Sequence, residues 1–89
     1  MPATFSKESV RTSLLDTFTK YANAKVAVTE QSHITGDLGV DSLAVMEIVA
    51  ELEDRYNLTF PDEDLPSVRT VGDVISLVCK HLEADGRLS

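Results

Sequence analysis

Gly36-Asp37-Leu38-Gly39-Val40-Asp41-Ser42-Leu43-Ala44-Val45-Met46-Glu47-Ile48-Val49-Ala50-Glu51-Leu52-Glu53-Asp54-Arg55-Tyr56 changes character near its middle. Up to Asp41, Gly36 and Gly39 permit tight or left-handed backbone, the chemistry of a turn. From about Ser42, residues Val45, Ile48, Val49, Leu52 and Tyr56 recur at spacings of three and four, the stripe of an amphipathic helix facing a core. The stretch is therefore a loop feeding a helix that starts at Ser42. By position alone Ser42 reads as the cap of that helix, a role serine often fills.

The same period appears on both sides. From Phe5 to Ala22, Val10, Leu14, Phe18 and Tyr21, with Leu15 and Ala22 alongside, predict a first helix. A third begins at Thr70, with Asp73 placed as in a capping box and a stripe of Val71, Val74, Ile75, Val78 and Leu82. Between Tyr56 and Thr70, Asn57 suits a helix C-terminus, and Pro61 and Pro66 each restrict the residue before them, so only a helical turn fits. Pro66 should shorten this element. The segment from Asn23 to Asp41 is long for a loop in so small a domain, and such loops are usually functional. Val26, Val28, Ile34 and Leu38 are its candidate pins onto the bundle. No strand-period alternation, repeat or low-complexity tract appears. The expectation is an all-α fold over residues 1–89, one domain: a small bundle of three main amphipathic helices plus a short helical turn, with a long loop between helices one and two.

Composition narrows the function. Of 89 residues, 15 are acidic and 8 basic, a formal charge of −7. Nine of the carboxylates lie between Asp37 and Asp64 with only Arg55 opposing them, which leaves that span at −8 and the rest of the chain at +1. Nucleic acid and anionic membrane, both polyanions, are poor partners for such a chain, and a basic protein surface suits it. The single cysteine, Cys79, has no intramolecular partner, so a disulfide framework is excluded and a reducing cytoplasmic setting is expected. Met1–Lys7 lack the basic start and apolar run of a signal peptide, and no segment approaches a membrane span, so a soluble intracellular protein is expected.

Gly36-Asp37-Leu38-Gly39-Val40-Asp41-Ser42-Leu43, the acidic helix that follows, then Phe60-Pro61-Asp62-Glu63 and Thr70-Val71 together resemble the acyl carrier protein family. Asp-Ser-Leu alone is common; the combination is specific. The resemblance is clear over about half the chain, and helix one matches only in pattern. It implies a stand-alone carrier, not an enzyme, with no catalytic residue of its own. Ser42 would be esterified by 4′-phosphopantetheine, transferred from coenzyme A by a separate phosphopantetheinyl transferase, and Asp41 would belong to the modification motif; as a bare residue Asp41 could equally be a helix cap. The arm's thiol would hold acyl groups as thioesters for acyl-processing enzymes of fatty acid, polyketide or a related pathway. In that family the second helix docks on basic patches of its partners. Leu43 and Met46 lie off the core stripe and read either as an exposed apolar patch beside Ser42 or as partial core. Glu47, Glu51 and Asp54 share one helical face beside them, either a docking ridge or a solvated surface. A monomer is expected.

Ala44 departs from the common fatty-acid carrier pattern, where an acidic residue often follows Asp-Ser-Leu, and leaves the pathway open. Asp41 favours an acyl over a peptidyl or aminoacyl carrier. An unmodified interaction module of the same fold is the remaining alternative. A hydrolase built on Ser42 with His33 or His81 lacks any pattern that would bring these groups together, and His81, in the last turn of helix three, is explained by the helix dipole. Cys79 beside the stripe reads as a small packed thiol. An EF-hand loop beginning at Asp37 fails because Gly39 and Ile48 stand where oxygen ligands are needed, so no metal site is expected.

Overall fold

The computed structural model describes residues 4–22 and 27–89. Three α-helices form: α1 (Lys7–Tyr21), α2 (Ser42–Tyr56) and α3 (Val71–Ala84), with a 3₁₀ helix over Asp62–Ser67. Among the described residues the only extended pairings are two isolated bridges, Phe5 with Leu88 and His33 with Thr70. The all-α expectation holds.

Each helix begins where a side chain can satisfy its open N–H groups. The sequence predicts α1 from Phe5, but Ser6 takes the cap: Ser9 N–H donates to Ser6 Oγ at 3.0 Å and Ser6 N–H to Ser9 Oγ at 3.2 Å. A capping box of two serines does the work usually shared with a glutamate. At the start of α3, Asp73 N–H donates to Thr70 Oγ1 while the Asp73 carboxylate accepts from Thr70 N–H, the box read from the sequence. The α2 helix stops at Asn57, whose φ of 53° is left-handed, a conformation asparagine tolerates better than most side chains. The open carbonyls at the end of α2 find a partner beyond α3: Arg87 Nη1 donates to Tyr56 O at 2.6 Å and Nη2 to Asn57 O at 3.1 Å.

The core is the meeting of the three predicted stripes. Val10, Leu14 and Phe18 of α1, Ile48, Leu52 and Tyr56 of α2, and Val71, Val78 and Leu82 of α3 are all buried. Each such side chain contributes about 1.5–3 kcal/mol by leaving water, before the entropy cost of ordering it. The α1 helix packs against both others. Arg55 reinforces the α1–α2 contact by donating to Ser13 Oγ at 2.7 Å and to the buried Thr17 Oγ1 at 2.9 Å.

The loop before α2 is held as expected by Ile34 and Leu38, with Val28 partly buried; Val40 adds a third fully buried pin, and Val26 lies outside the described residues. Its backbone also bonds to the entry of α3: Ile34 N–H to Arg69 O at 3.0 Å, Val71 N–H to Ser32 O at 3.1 Å and Gly72 N–H to Glu30 O at 2.8 Å. A Cβ at position 72 would stand 2.9 Å from Glu30 O, so the close approach of these two segments needs glycine there. Of the two glycines read as turn residues, only Gly39 uses left-handed backbone, with φ of 67°. Pro66 does not end the short helix: the 3₁₀ turn runs through it to Ser67, held by Asp64 N–H to Pro61 O at 3.0 Å and Val68 N–H to Leu65 O at 3.1 Å, bonds that need no donor from Pro66.

Candidate functional site

The pinned loop ends at Asp41, and Asp41, not Ser42, caps α2. Its Oδ1 accepts from Ala44 N–H at 2.8 Å, and its carbonyl accepts the first helical bond, from Val45 N–H at 2.9 Å. The sequence offers both Ser42 and Asp41 as caps, and the structure sets Ser42 aside. An aspartate one residue earlier takes that role, and Ser42 becomes the first helical residue, exposed to solvent. Its hydroxyl makes no hydrogen bond among the described residues, and the N–H groups of Ser42 and Leu43 have no acceptor there either. Although α2 is rich in acids, none lies in its first turn. A free hydroxyl therefore sits at a positive helix end with two open donors, beside an Asp41 carboxylate already engaged by Ala44 N–H, an arrangement that leaves those donors for a phosphate on that oxygen.

Around it, Leu43 and Met46 are the two large apolar side chains that stand out in solvent among the described residues, 70% and 56% exposed. The structure places them outside the core. Glu47 and Asp54 on the adjacent face are exposed and make no ion pair among the described residues. Glu51 differs from its two neighbours. Its carboxylate is held by Lys20 Nζ at 3.3 Å and Arg55 Nη2 at 3.0 Å, so most of its charge is answered within the protein. Helical spacing put the three acids together, and the i,i+4 pair with Arg55 is written in that spacing, whereas Lys20 reaches Glu51 from α1, across a contact that periodicity does not reveal.

Behind the α2 face a cavity of about 300 Å³ opens between α2 and α3. Val45, Ile48 and Val49 line it from α2, Val74 and Leu77 from α3, with Phe60 from the segment after α2. Val45 is three residues beyond Ser42, one helical turn or about 5 Å along the axis, so the cavity begins close to the exposed hydroxyl.

The groups set aside on sequence grounds sit elsewhere. His81 occupies the last turn of α3, but its ring faces the 3₁₀ segment, edge-on to Phe60 at 5.6 Å and with Nε2 3.7 Å from Asp64 Oδ2. Its placement is thus a packing contact, beyond the dipole effect expected. Cys79 is buried, and burial pushes its thiol up, which disfavours the reactive thiolate.

Comparison with known proteins supports this geometry. Residues 13–78 match the family model described as phosphopantetheine attachment site. The chain is 46% identical over 59 residues to an acyl carrier protein of Rhodococcus erythropolis, a match covering 66% of this chain and 64% of that one. It is 47% identical over 60 residues to a probable acyl carrier protein of Caulobacter vibrioides (67% and 70%). To a meromycolate extension acyl carrier protein of Mycolicibacterium aurum it is 45% identical over 53 residues (60% and 55%). The chain thus spans between about half and two thirds of the length of most of these curated relatives. Among solved structures, the acyl carrier protein from Enterococcus faecalis superposes with a TM-score of 0.73 at 31% identity, covering 86% of this chain and 99% of that one. With its free serine at the head of α2 and a family match spanning most of its length, the chain belongs to the acyl carrier protein family.

Proposed function

We propose that the protein is an acyl carrier, not an enzyme, whose Ser42 bears 4′-phosphopantetheine. The observation that supports this most is the division of labour at the head of α2: Asp41 caps the helix and leaves the Ser42 hydroxyl exposed and unbonded. In the loading step the Ser42 oxygen forms a bond to phosphorus of coenzyme A. The pyrophosphate P–O bond breaks, adenosine bisphosphate leaves, and the serine proton passes to a base on the separate transferase. Once attached, the arm supplies a terminal thiol that carries acyl groups as thioesters. The chain's own residues position this chemistry. The open N–H groups of Ser42 and Leu43 and the helix dipole favour the phosphodiester charge. The cavity between α2 and α3 offers the acyl chain an apolar refuge from water.

Partners would approach the α2 face. Leu43 and Met46 supply apolar contact beside the serine, and Glu47 and Asp54 present unanswered charge to a basic patch on a phosphopantetheinyl transferase or an acyl-processing enzyme. Such steering accelerates encounter and weakens with salt. No described helix is long and apolar enough to cross a membrane. A cytoplasmic monomer serving enzymes of acyl-chain synthesis is the reading we adopt.

Incubation with coenzyme A and a broad-range phosphopantetheinyl transferase, followed by intact mass measurement, tests the proposal. The mass should rise by one phosphopantetheine, and Ser42→Ala should abolish the rise while the variant keeps its helical circular dichroism. An unchanged mass with several transferases would mark the protein as an unmodified interaction module of this fold.

A further inference from the structure

The acidic face of α2 is interrupted from within the chain. Glu47 and Asp54 stand in solvent without an ion pair among the described residues, seven residues or about 10 Å apart along the helix. Between them the Glu51 carboxylate is flanked by two cations, Arg55 from its own helix and Lys20 from α1. The two cations are not alike. Arg55 is needed by the fold: its Nη1 donates to Ser13 Oγ at 2.7 Å and to the buried Thr17 Oγ1 at 2.9 Å, which ties α2 to α1. Lys20 has no such task. Its side chain is 63% exposed, and among the described residues its ammonium meets only Glu51 Oε1 at 3.3 Å and the Tyr21 ring at 5.4 Å. An exposed pair of that kind adds little stability. A lysine that the fold can spare therefore stands in the middle of the face on which a basic partner would land.

We infer that Lys20 is a specificity-determining residue that restrains docking: it answers Glu51 from within the chain, and a cation on a partner approaching Glu51 is opposed by the ammonium already there. The inference rests on the carrier reading above and deepens it by stating what the partner must bring. Charge is left open at Glu47 and Asp54 alone, so the fitting partner is an enzyme with basic groups aimed at those two positions and apolar contact for Leu43 and Met46. An enzyme that binds by charge along the whole face meets a like charge at its centre, the repulsive element by which a surface rejects unsuited partners.

The test measures kcat/KM for loading the whole protein with coenzyme A and a broad-range phosphopantetheinyl transferase. Rates are compared at about 0.1 M salt and at about 1 M, where the Debye length falls from about 10 Å to about 3 Å. Lys20→Met should raise kcat/KM at the lower salt by roughly twofold to fivefold, the span of one exposed ion pair, and the gain should disappear at the higher salt. Its Tm should stay within about 4 °C of the unsubstituted protein. Lys20→Gln, which keeps a polar side chain, should show the same gain and serves if the methionine variant melts early. Lys80→Met is the control, because Lys80 is exposed on α3 and makes no ion pair among the described residues. It removes the same unit of charge and should leave kcat/KM nearly unchanged. An equal gain from Lys80→Met would mean that net charge alone governs encounter, and would overturn the inference. So would unchanged or slower loading of both Lys20 variants, or a gain that persists at 1 M salt. Failure of the unsubstituted protein to gain the mass of one arm would fell the carrier reading itself, an outcome distinct from equal rates of loading.

Discussion

Helices α2 and α3 are nearly equal in length, 15 and 14 residues, yet they treat their two ends and faces differently. The N-terminus of α3 is closed: Thr70 caps it, and the Asp73 carboxylate turns back to accept from both Thr70 and Arg69 N–H groups at 3.0 Å. The N-terminus of α2 is capped only by Asp41, has no acid in its first turn and keeps two N–H groups open beside a free hydroxyl. Six residues of α3 are buried against three of α2, and the large apolar side chains most exposed in the described structure are both on α2. One helix spends its amphipathic character on the core, and the other divides it between the core and an apolar surface left in solvent.

If that contrast is right, the largest loss of stability comes from the α3 stripe. Leu82 is completely buried, and Leu82→Ala removes its packing and leaves a cavity, costing about 3 kcal/mol and lowering Tm by roughly 15 °C. Val45→Ala on α2, at the wall of an existing cavity and only half-buried, should cost about 1 kcal/mol. Thermal melts of the two variants check the order. Equal losses would mean that α2 contributes to the core as fully as α3 does.

A smaller effect is expected at the closed end of α3, with a pH signature. Backbone N–H groups of Thr70 and then Arg69 hold the Asp73 carboxyl below its ordinary value of 3.8. Its folded-state pKa is therefore lower than in the unfolded chain, so its stabilisation is fully present above the unfolded value and fades as pH falls through the folded one. Asp73 is exposed, and solvent screening keeps the contribution at the low end for a cap. Asp73→Ala should cost about 0.5–1 kcal/mol at pH 7, and the difference between the two proteins should vanish as the pH is lowered well past 3.8. A loss independent of pH would assign the effect to helix propensity or packing.

The contrast also explains what could be read from the chain beforehand. The three stripes, the Thr70–Asp73 box and the Asn57 stop depend on neighbours within one turn, and those are written in local spacing. Asp41 and Ser42 both read as candidate caps, a choice periodicity does not resolve because Asp and Ser cap equally well. The Lys20–Glu51 ion pair and the seam between Glu30–Ile34 and Arg69–Gly72 join residues far apart in sequence. No helical period encodes those. The exposure of Leu43 and Met46 stood between the two: their offset from the stripe was legible, and which side of α2 the loop and α1 would cover was not.

Leu43 and Met46 provide the smallest effect on stability and the sharpest test of the contrast. Because both are largely in solvent in the folded protein, little apolar area is lost from the core when they are replaced, and Leu43→Ser or Met46→Ser should change unfolding free energy by no more than about 0.5 kcal/mol. A partner that covers them removes that area from water in the complex alone. One such contact is worth about 1–2 kcal/mol at an interface, so each substitution should lower kcat/KM for phosphopantetheine transfer by roughly tenfold. Glu47→Gln should act differently, slowing transfer at low ionic strength and converging on the unsubstituted protein as salt screens the field. Apolar variants that lose transfer at every salt concentration while melting unchanged would fix Leu43 and Met46 as contact residues. Variants that melt early and transfer normally would return them to the core, and α2 would then differ from α3 only at its open end.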